Sequence, residues 1–152
     1  MKYEIAARIS EKPADYCVGA IAEYAKRLTA YCKIRHQFVR RDSAWKKIIG
    51  EKAAGKEVRI RVLPGESRIT SEELSRLIGK WESAGMRRIL FLIPDPEESL
   101  PAEEEPVQSL QWHADFLLPV SSFSMGSDMV TMILYEQIYR GYRILHNQPY
   151  HK

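Results

Sequence analysis

Cysteine is scarce in this chain. Cys17 and Cys32 are the only two, they stand fifteen positions apart, and neither belongs to a CxxC pair. With no paired histidines nearby, that spacing excludes an ordinary zinc site and leaves no framework for a disulfide-stapled fold. Both read as small, buried apolar residues. Long apolar runs are missing too: no stretch reaches the length of about 18 residues that a membrane helix needs. The N-terminus, MKYEIAARIS, carries an acid and an arginine where a secretion signal keeps an unbroken apolar core. The expectation is a cytoplasmic protein with no metal and no membrane partner. Neither GxGxxG nor GxxxxGK[ST] occurs, so standard dinucleotide and P-loop chemistry are not indicated. No serine, histidine and acid fall at the spacing of a nucleophile elbow.

What is present suits one soluble globular domain. The chain has 152 residues, 45% hydrophobic and 28% charged, enough to bury a proper core. A net charge of +3 permits an anionic partner such as RNA without requiring one.

Strand and helix patterns alternate along the chain. Tyr3, Ile5, Ala7 and Ile9 predict a first strand. Pro13 opens a helix with an apolar stripe of Val18, Ile21, Ala22, Ala25 and Leu28. Ile34, His36 and Phe38 mark a second strand, on which His36 is expected as a partly buried packing residue. Arg40, Arg41, Lys46 and Lys47 surround Trp45. Two readings fit them: a clamp for a phosphate with a ring to stack a base, or a solvated turn into a short helix over 45–54 that Gly55 ends.

Val58, Ile60 and Val62 form a third strand. Thr70-Ser71-Glu72-Glu73 fits a capping box, starting a helix through Leu74, Leu77, Ile78 and Trp81 that Gly85 closes. The unbroken run Arg88-Ile89-Leu90-Phe91-Leu92-Ile93 reads as a strand buried on both faces of a parallel sheet. Pro94-Asp95-Pro96 stops it. An acid-rich loop to about Pro106 follows, whose Glu97, Glu98, Glu103, Glu104 and Glu105 read as solvated surface rather than paired acid–base carboxylates. A last strand is expected over 114–119.

The C-terminal stretch organises the rest. Ser127 or Asp128 is expected to cap a long helix with Val130, Ile133, Leu134, Ile138, Tyr142 and Leu145 as its buried stripe. Met129, Met132, Glu136, Tyr139, Arg140 and Arg143 fall on the other side, with Glu136 and Arg140 in the favourable i, i+4 order. By spacing alone, a solvated face with a frayed end outweighs a chemical site. The order of elements argues an α/β domain with a mostly parallel sheet, in which ligands sit beyond the carboxyl ends of the strands. Those ends open into the loops that begin at Val62, Pro94 and Pro119.

Two segments carry a family resemblance. Ile21-Ala22-Glu23-Tyr24-Ala25-Lys26-Arg27-Leu28, continuing to Tyr31-Cys32-Lys33, is one. Tyr135-Glu136-Gln137-Ile138-Tyr139-Arg140 with the terminal Pro149-Tyr150-His151-Lys152 is the other. Together the whole chain resembles the RlmH family of SPOUT-class methyltransferases. The resemblance implies methylation of the N(3) position of a pseudouridine in 23S ribosomal RNA, within the large subunit or the assembled ribosome, using S-adenosylmethionine. It also implies a homodimer of small α/β domains, each with a C-terminal trefoil knot whose loops hold the cofactor.

Carried over by position, the cofactor residues are Val62, Asp95, Ser121, Ser122, Phe123, Ser124, Met125 and Gly126. Arg140 would meet the RNA phosphate or a nucleobase carbonyl, Tyr150 would position or stack on the base, and His151 would accept a proton near neutral pH. Arg40, Arg41 and Lys152 would add phosphate contacts.

The loops depart from the family pattern. Leu63 stands where the family has an aspartate. Ile93-Pro94-Asp95-Pro96-Glu97-Glu98 replaces Ile-Gly-Gly-Pro-Glu-Gly. Gly126-Ser127 replaces Pro-His, and Val130-Thr131 replaces Val-Arg. Proline removes an N–H and fixes φ where glycine allowed close approach. Beside the leading reading stands a second, a catalytically impaired RNA- or ribosome-binding homodimer on the same fold. A third is a domain of this class that binds another small ligand.

Overall fold

A computed structural model describes residues 1–65, 67–98, 104 and 112–150. Five strands form one sheet: β1 (Lys2–Arg8), β2 (Lys33–Val39), β3 (Glu57–Leu63), β4 (Arg88–Ile93) and β5 (Phe116–Pro119). Their order is β2-β1-β4-β3-β5, and every pairing among them is parallel. The mostly parallel α/β domain read from the sequence is therefore observed, parallel throughout the described strands. The apolar run of β4 occupies the centre because both its faces are covered: Ile89, Leu90, Phe91, Leu92 and Ile93 are all buried.

Three helices, α1 (Asp15–Leu28), α3 (Ser71–Ser83) and α4 (Ser127–Leu145), cover one face of the sheet. α4 lies between the other two. Tyr3, Ile5, Phe91 and Ile60 from the strands meet Ile21, Ile78 and Ile138 from the helices in the main core. The capping box forms as expected: Thr70 Oγ1 accepts from Glu73 N at 3.1 Å and Glu73 accepts from Thr70 N at 2.7 Å. Gly85 closes α3 with φ +70, a conformation costly for any residue with a side chain. Close approach of α3 and α4 uses Gly141, where an added Cβ would stand 2.8 Å from Ile78 Cδ1.

Among the described residues, the opposite face carries one short α-helix, α2 (Asp42–Gly50), packed on Ala6, Val39, Leu90 and Leu92. α2 ends at Gly50, earlier than the 54 expected, and Gly55 instead takes φ +63 in the turn before β3. Trp45 is 4% exposed and meets Trp112 edge-on at 5.6 Å, so it is a core residue and not a ring to stack a base.

At the amino ends of the strands this face is ionic. Glu4 is held by Lys2, Arg35 and Arg88, and Glu57 by Arg88 and Arg59. Arg59, 1% exposed, also donates to the carbonyls of His113 (2.9 Å) and Ile48. Burial by itself favours a neutral Glu4, but the donors of Arg88, Lys2 and Arg35 outweigh it and hold the carboxyl down at about 2.

Other expectations shift by a residue or more. α4 is capped by Gly126, not by Ser127 or Asp128. Asp128 turns outward and accepts from the backbone N–H of Ala14 at 3.0 Å, tying the starts of α1 and α4. β5 begins at Phe116, two residues later than expected, because Asp115 spends its carboxylate on Arg59 N at 2.7 Å. His36 does pack, edge-on to Phe38 and Tyr135, but on an exposed edge strand. Its Nδ1 lies 2.8 Å from the Tyr135 hydroxyl. Cys17 is buried, Cys32 is half-buried, and both are free thiols. No helix among the described residues is long and apolar enough to cross a membrane.

Candidate functional site at the carboxyl edge of the sheet

The loops after β3, β4 and β5 meet beyond the carboxyl ends of their strands, where α/β sheets bind ligands. Backbone bonds zip two of them together: Val120 N donates to Leu63 O at 3.0 Å, and Gly65 N to Ser121 O at 2.8 Å. The third is fixed to the first turn of α4, where buried Ser127 donates its hydroxyl to Pro94 O at 3.1 Å. Val62, Pro94, Ser121, Phe123 and Met125 enclose a cavity of about 20 Å³ among the three loops. Phe123 is 78% exposed although it forms part of this wall.

A larger cleft of about 640 Å³ opens beside it, sharing Val120, between the start of α3 and the outer side of α4. Arg140 and Tyr150 stand in its wall. Arg140 Nε and Nη2 donate to Glu136 Oε1 at 3.0 and 2.7 Å, and the guanidinium lies 4.4 Å from the centre of the Tyr150 ring. The Tyr150 hydroxyl donates to the same Glu136 oxygen. Burial, reinforced by the Glu136 carboxylate, pushes the Tyr150 phenol up to about 12 against the pull of Arg140, so it stays a proton donor at neutral pH. Arg143 anchors the tail through Pro149 O at 2.6 Å. This face is not the solvated one that spacing favoured: the Arg140 and Glu136 side chains are 24% and 18% exposed.

The structure thus brings Val62, Ser121, Phe123 and Met125 together, and separately Arg140 with Tyr150. Ser122 and Ser124 are exposed and stand outside the small cavity. Asp95 and Gly126 border a neighbouring polar cleft of about 290 Å³ with Arg8 and Asp128. Arg40 and Arg41 are exposed just after β2, at the sheet edge opposite β5. His151 and Lys152 lie outside the described residues, as do Glu103 and Glu105. Reading by motif missed Arg68, Ser71 and Gln137, which line the large cleft; Ser71 Oγ donates to Gln137 Oε1 at 2.9 Å. Their signal was position alone, since they follow the carboxyl end of β3 or sit one residue past Glu136. Among the described residues, no three His, Cys, Asp or Glu side chains gather as a metal site would need.

A parallel α/β sheet with helices on both faces, whose last helix presents the Arg140 guanidinium and whose tail sets the Tyr150 phenol against it beside a three-loop cluster, has the architecture of the doubly wound class. More narrowly, the chain belongs to the SPOUT methyltransferase family: the family described as predicted SPOUT methyltransferase matches residues 1–151. It is 30% identical over 152 residues to ribosomal RNA large subunit methyltransferase H 1 of Thermoanaerobacter sp. (strain X514), covering 100% of both chains. The enzyme named ribosomal RNA large subunit methyltransferase H is 33% identical in Exiguobacterium sibiricum, over 90% of this chain and 91% of that one. Its namesake in Desulfotalea psychrophila is 27% identical, with 100% of both chains covered.

S-adenosylmethionine, the donor the resemblance implies, presents a flat base, a ribose and a cationic sulfonium. Val62, Met125 and Val130 offer apolar walls for the base, and Ser121 with the loop carbonyls offers acceptors; no Lys or Arg lines the cavity among the described residues. In chemical character these residues fit the group. As the loops stand, the room is about 20 Å³, against about 300 Å³ or more for a small-molecule pocket. The loops must part for a nucleoside to enter.

Proposed function

We propose that this chain methylates a pseudouridine of 23S ribosomal RNA at its N(3) position, with S-adenosylmethionine as donor, acting in the cytoplasm as a homodimer. We extend the same reading to the topology, with the segment from β5 through α4 threaded as a trefoil knot. One observation carries the proposal: Arg140 and Tyr150, both bonded to Glu136, stand together in the wall of a 640 Å³ cleft next to the three loops. The exposed Tyr16 and Val18 on α1 offer apolar surface to a second copy.

The donor supplies an electrophilic methyl group. The chain's own residues do the rest. Loss of the N(3) proton leaves negative charge on the ring and its carbonyls, and Arg140, oriented by two bonds to Glu136, is a fixed cation for that charge. Tyr150, kept protonated, donates to a carbonyl or stacks on the ring. His151 takes the proton, as an imidazole does at neutral pH.

A second reading, RNA binding without catalysis, is favoured by the small cavity and by Pro94, which offers no N–H to a ligand. Calorimetric titration with S-adenosylmethionine and S-adenosylhomocysteine separates the two. Micromolar binding, followed by label transfer to ribosomes lacking the modification, is expected. A cooperatively folded protein that binds neither compound at millimolar concentration, and transfers no label to those ribosomes, overturns the leading reading.

A further inference from the structure

The 640 Å³ cleft does not stop at its own rim. A second, open groove of about 700 Å³ shares Arg68, Ile69, Leu118 and Pro119 with it, so the two form one trough along β5 and the outer side of α3. Its floor is apolar, made by Leu77, Phe116, Leu117 and Leu145. Its rim is cationic: Arg68, Arg76 and Lys80 are all exposed. Arg76 and Lys80 stand one turn apart on α3 and flank Leu77. The acid in the groove, Glu73, already gives its carboxylate to Thr70 N. Glu72 at the other end of the trough is exposed.

We infer that this trough is the track for the single-stranded RNA that flanks the target nucleotide, with phosphates on Arg68, Arg76 and Lys80 and bases on the Leu77–Phe116–Leu117 floor. The inference rests on the proposed function for its substrate class. A cationic groove and an aromatic ring on which a base can stack are the two ingredients of sequence-tolerant single-strand binding, and here Phe116 is the ring. The trough leads straight to Arg140 and Tyr150, so a strand lying in it presents a nucleotide to them. A second copy of this chain is the poorer occupant. In a two-fold contact the patch meets itself, and these like charges would oppose one another. The track also lies at the sheet edge opposite Arg40 and Arg41.

The test uses the full chain and a fluorescent, unstructured oligouridine, with affinity read by anisotropy across a salt series. The triple variant Arg68→Gln, Arg76→Gln, Lys80→Gln is expected to bind roughly tenfold more weakly and to flatten the log Kd–log salt slope by about 2 units, near 0.7 per lost phosphate contact. A control removes three exposed lysines elsewhere, Lys26→Gln, Lys52→Gln and Lys56→Gln. Equal losses in both triples, or no loss in the first, overturn the track. So does a changed oligomeric state of the first triple in sedimentation, which would make the trough a subunit contact. Photocrosslinks from thiouridine RNA to residues 76–80 and 116–118 are expected, and crosslinks confined to 40–41 reject it. Methyl transfer is read separately. A protein that transfers no methyl yet loses RNA affinity in the first triple fails the function and keeps the track; full transfer and full affinity in that triple do the reverse.

Discussion

The two ends of the parallel sheet spend their charges differently. At the amino ends, Glu4, Glu57, Arg59 and Arg88 are mutually paired, and Arg59 is almost wholly buried. Removing a charge there strands its partners in a dry interior. At the carboxyl ends loop amides and hydroxyls stand with side chains such as Arg68 and Arg140 on partly exposed ground, and cavities open between them. One end holds the fold together and tolerates no rearrangement. The other is where a ligand meets groups that can change partners. The lesson is that a buried arginine in this chain is a poor candidate for chemistry, while the partly exposed Arg140 is a good one.

Three substitutions sharpen that contrast. Arg59→Ala has the largest expected effect. It leaves the Ile48 and His113 carbonyls without the Arg59 donors and Glu57 with Arg88 alone, a loss of about 3–5 kcal/mol of stability in urea unfolding. Activity per folded molecule should be unchanged; a stability loss below about 1 kcal/mol would break the comparison. Arg140→Gln is the mirror case. Its i, i+4 ion pair with Glu136 is half-buried at the edge of an open cleft and contributes about 0.5 kcal/mol, so the melt should move little. Methyl transfer should fall about a hundredfold, as when a preorganised donor is lost. Unaltered transfer would remove Arg140 from the chemistry.

The third is the pH effect of Glu4. Its folded pKa of about 2 lies below the ordinary 4.5. The charged carboxylate therefore stabilises the fold fully above pH 4.5, and that contribution is lost as pH falls from there toward 2. Glu4→Gln should start less stable at neutral pH and show a shallower decline over that window. Parallel acid unfolding curves for the variant and the natural protein would assign the decline to other carboxylates.

Much of the scaffold was legible because its cause is local. The run from Arg88 to Ile93 announces two buried faces, and Thr70 with Glu73 announces a helix start. What escaped depended on distant partners. Asp128 looks like a helix cap until Ala14 claims its carboxylate across 114 positions of sequence. Trp45 looks like a stacking platform until Trp112 covers it. The spacing on α4 correctly grouped Glu136 and Arg140, yet exposure depends on what packs nearby, and here the tail at Tyr150 does. Arg68 belongs to no motif, and the motifs that contain Ser71 and Gln137 assign those two no role; only the approach of α3 to α4 gives the three a common cleft.

The bond between Ser127 and Pro94 has a mechanical meaning. Ser127 holds the carbonyl of Pro94, and Ser127 is also the first residue of a helix that runs unbroken to Leu145. A helix of that length is a stiff rod of about 28 Å. Any ligand that prises the Pro94 loop outward therefore pulls on one end of a lever whose far half carries Arg140 and, through Arg143, the tail. Filling the small cavity and setting the posture of Tyr150 are then a single movement with two ends.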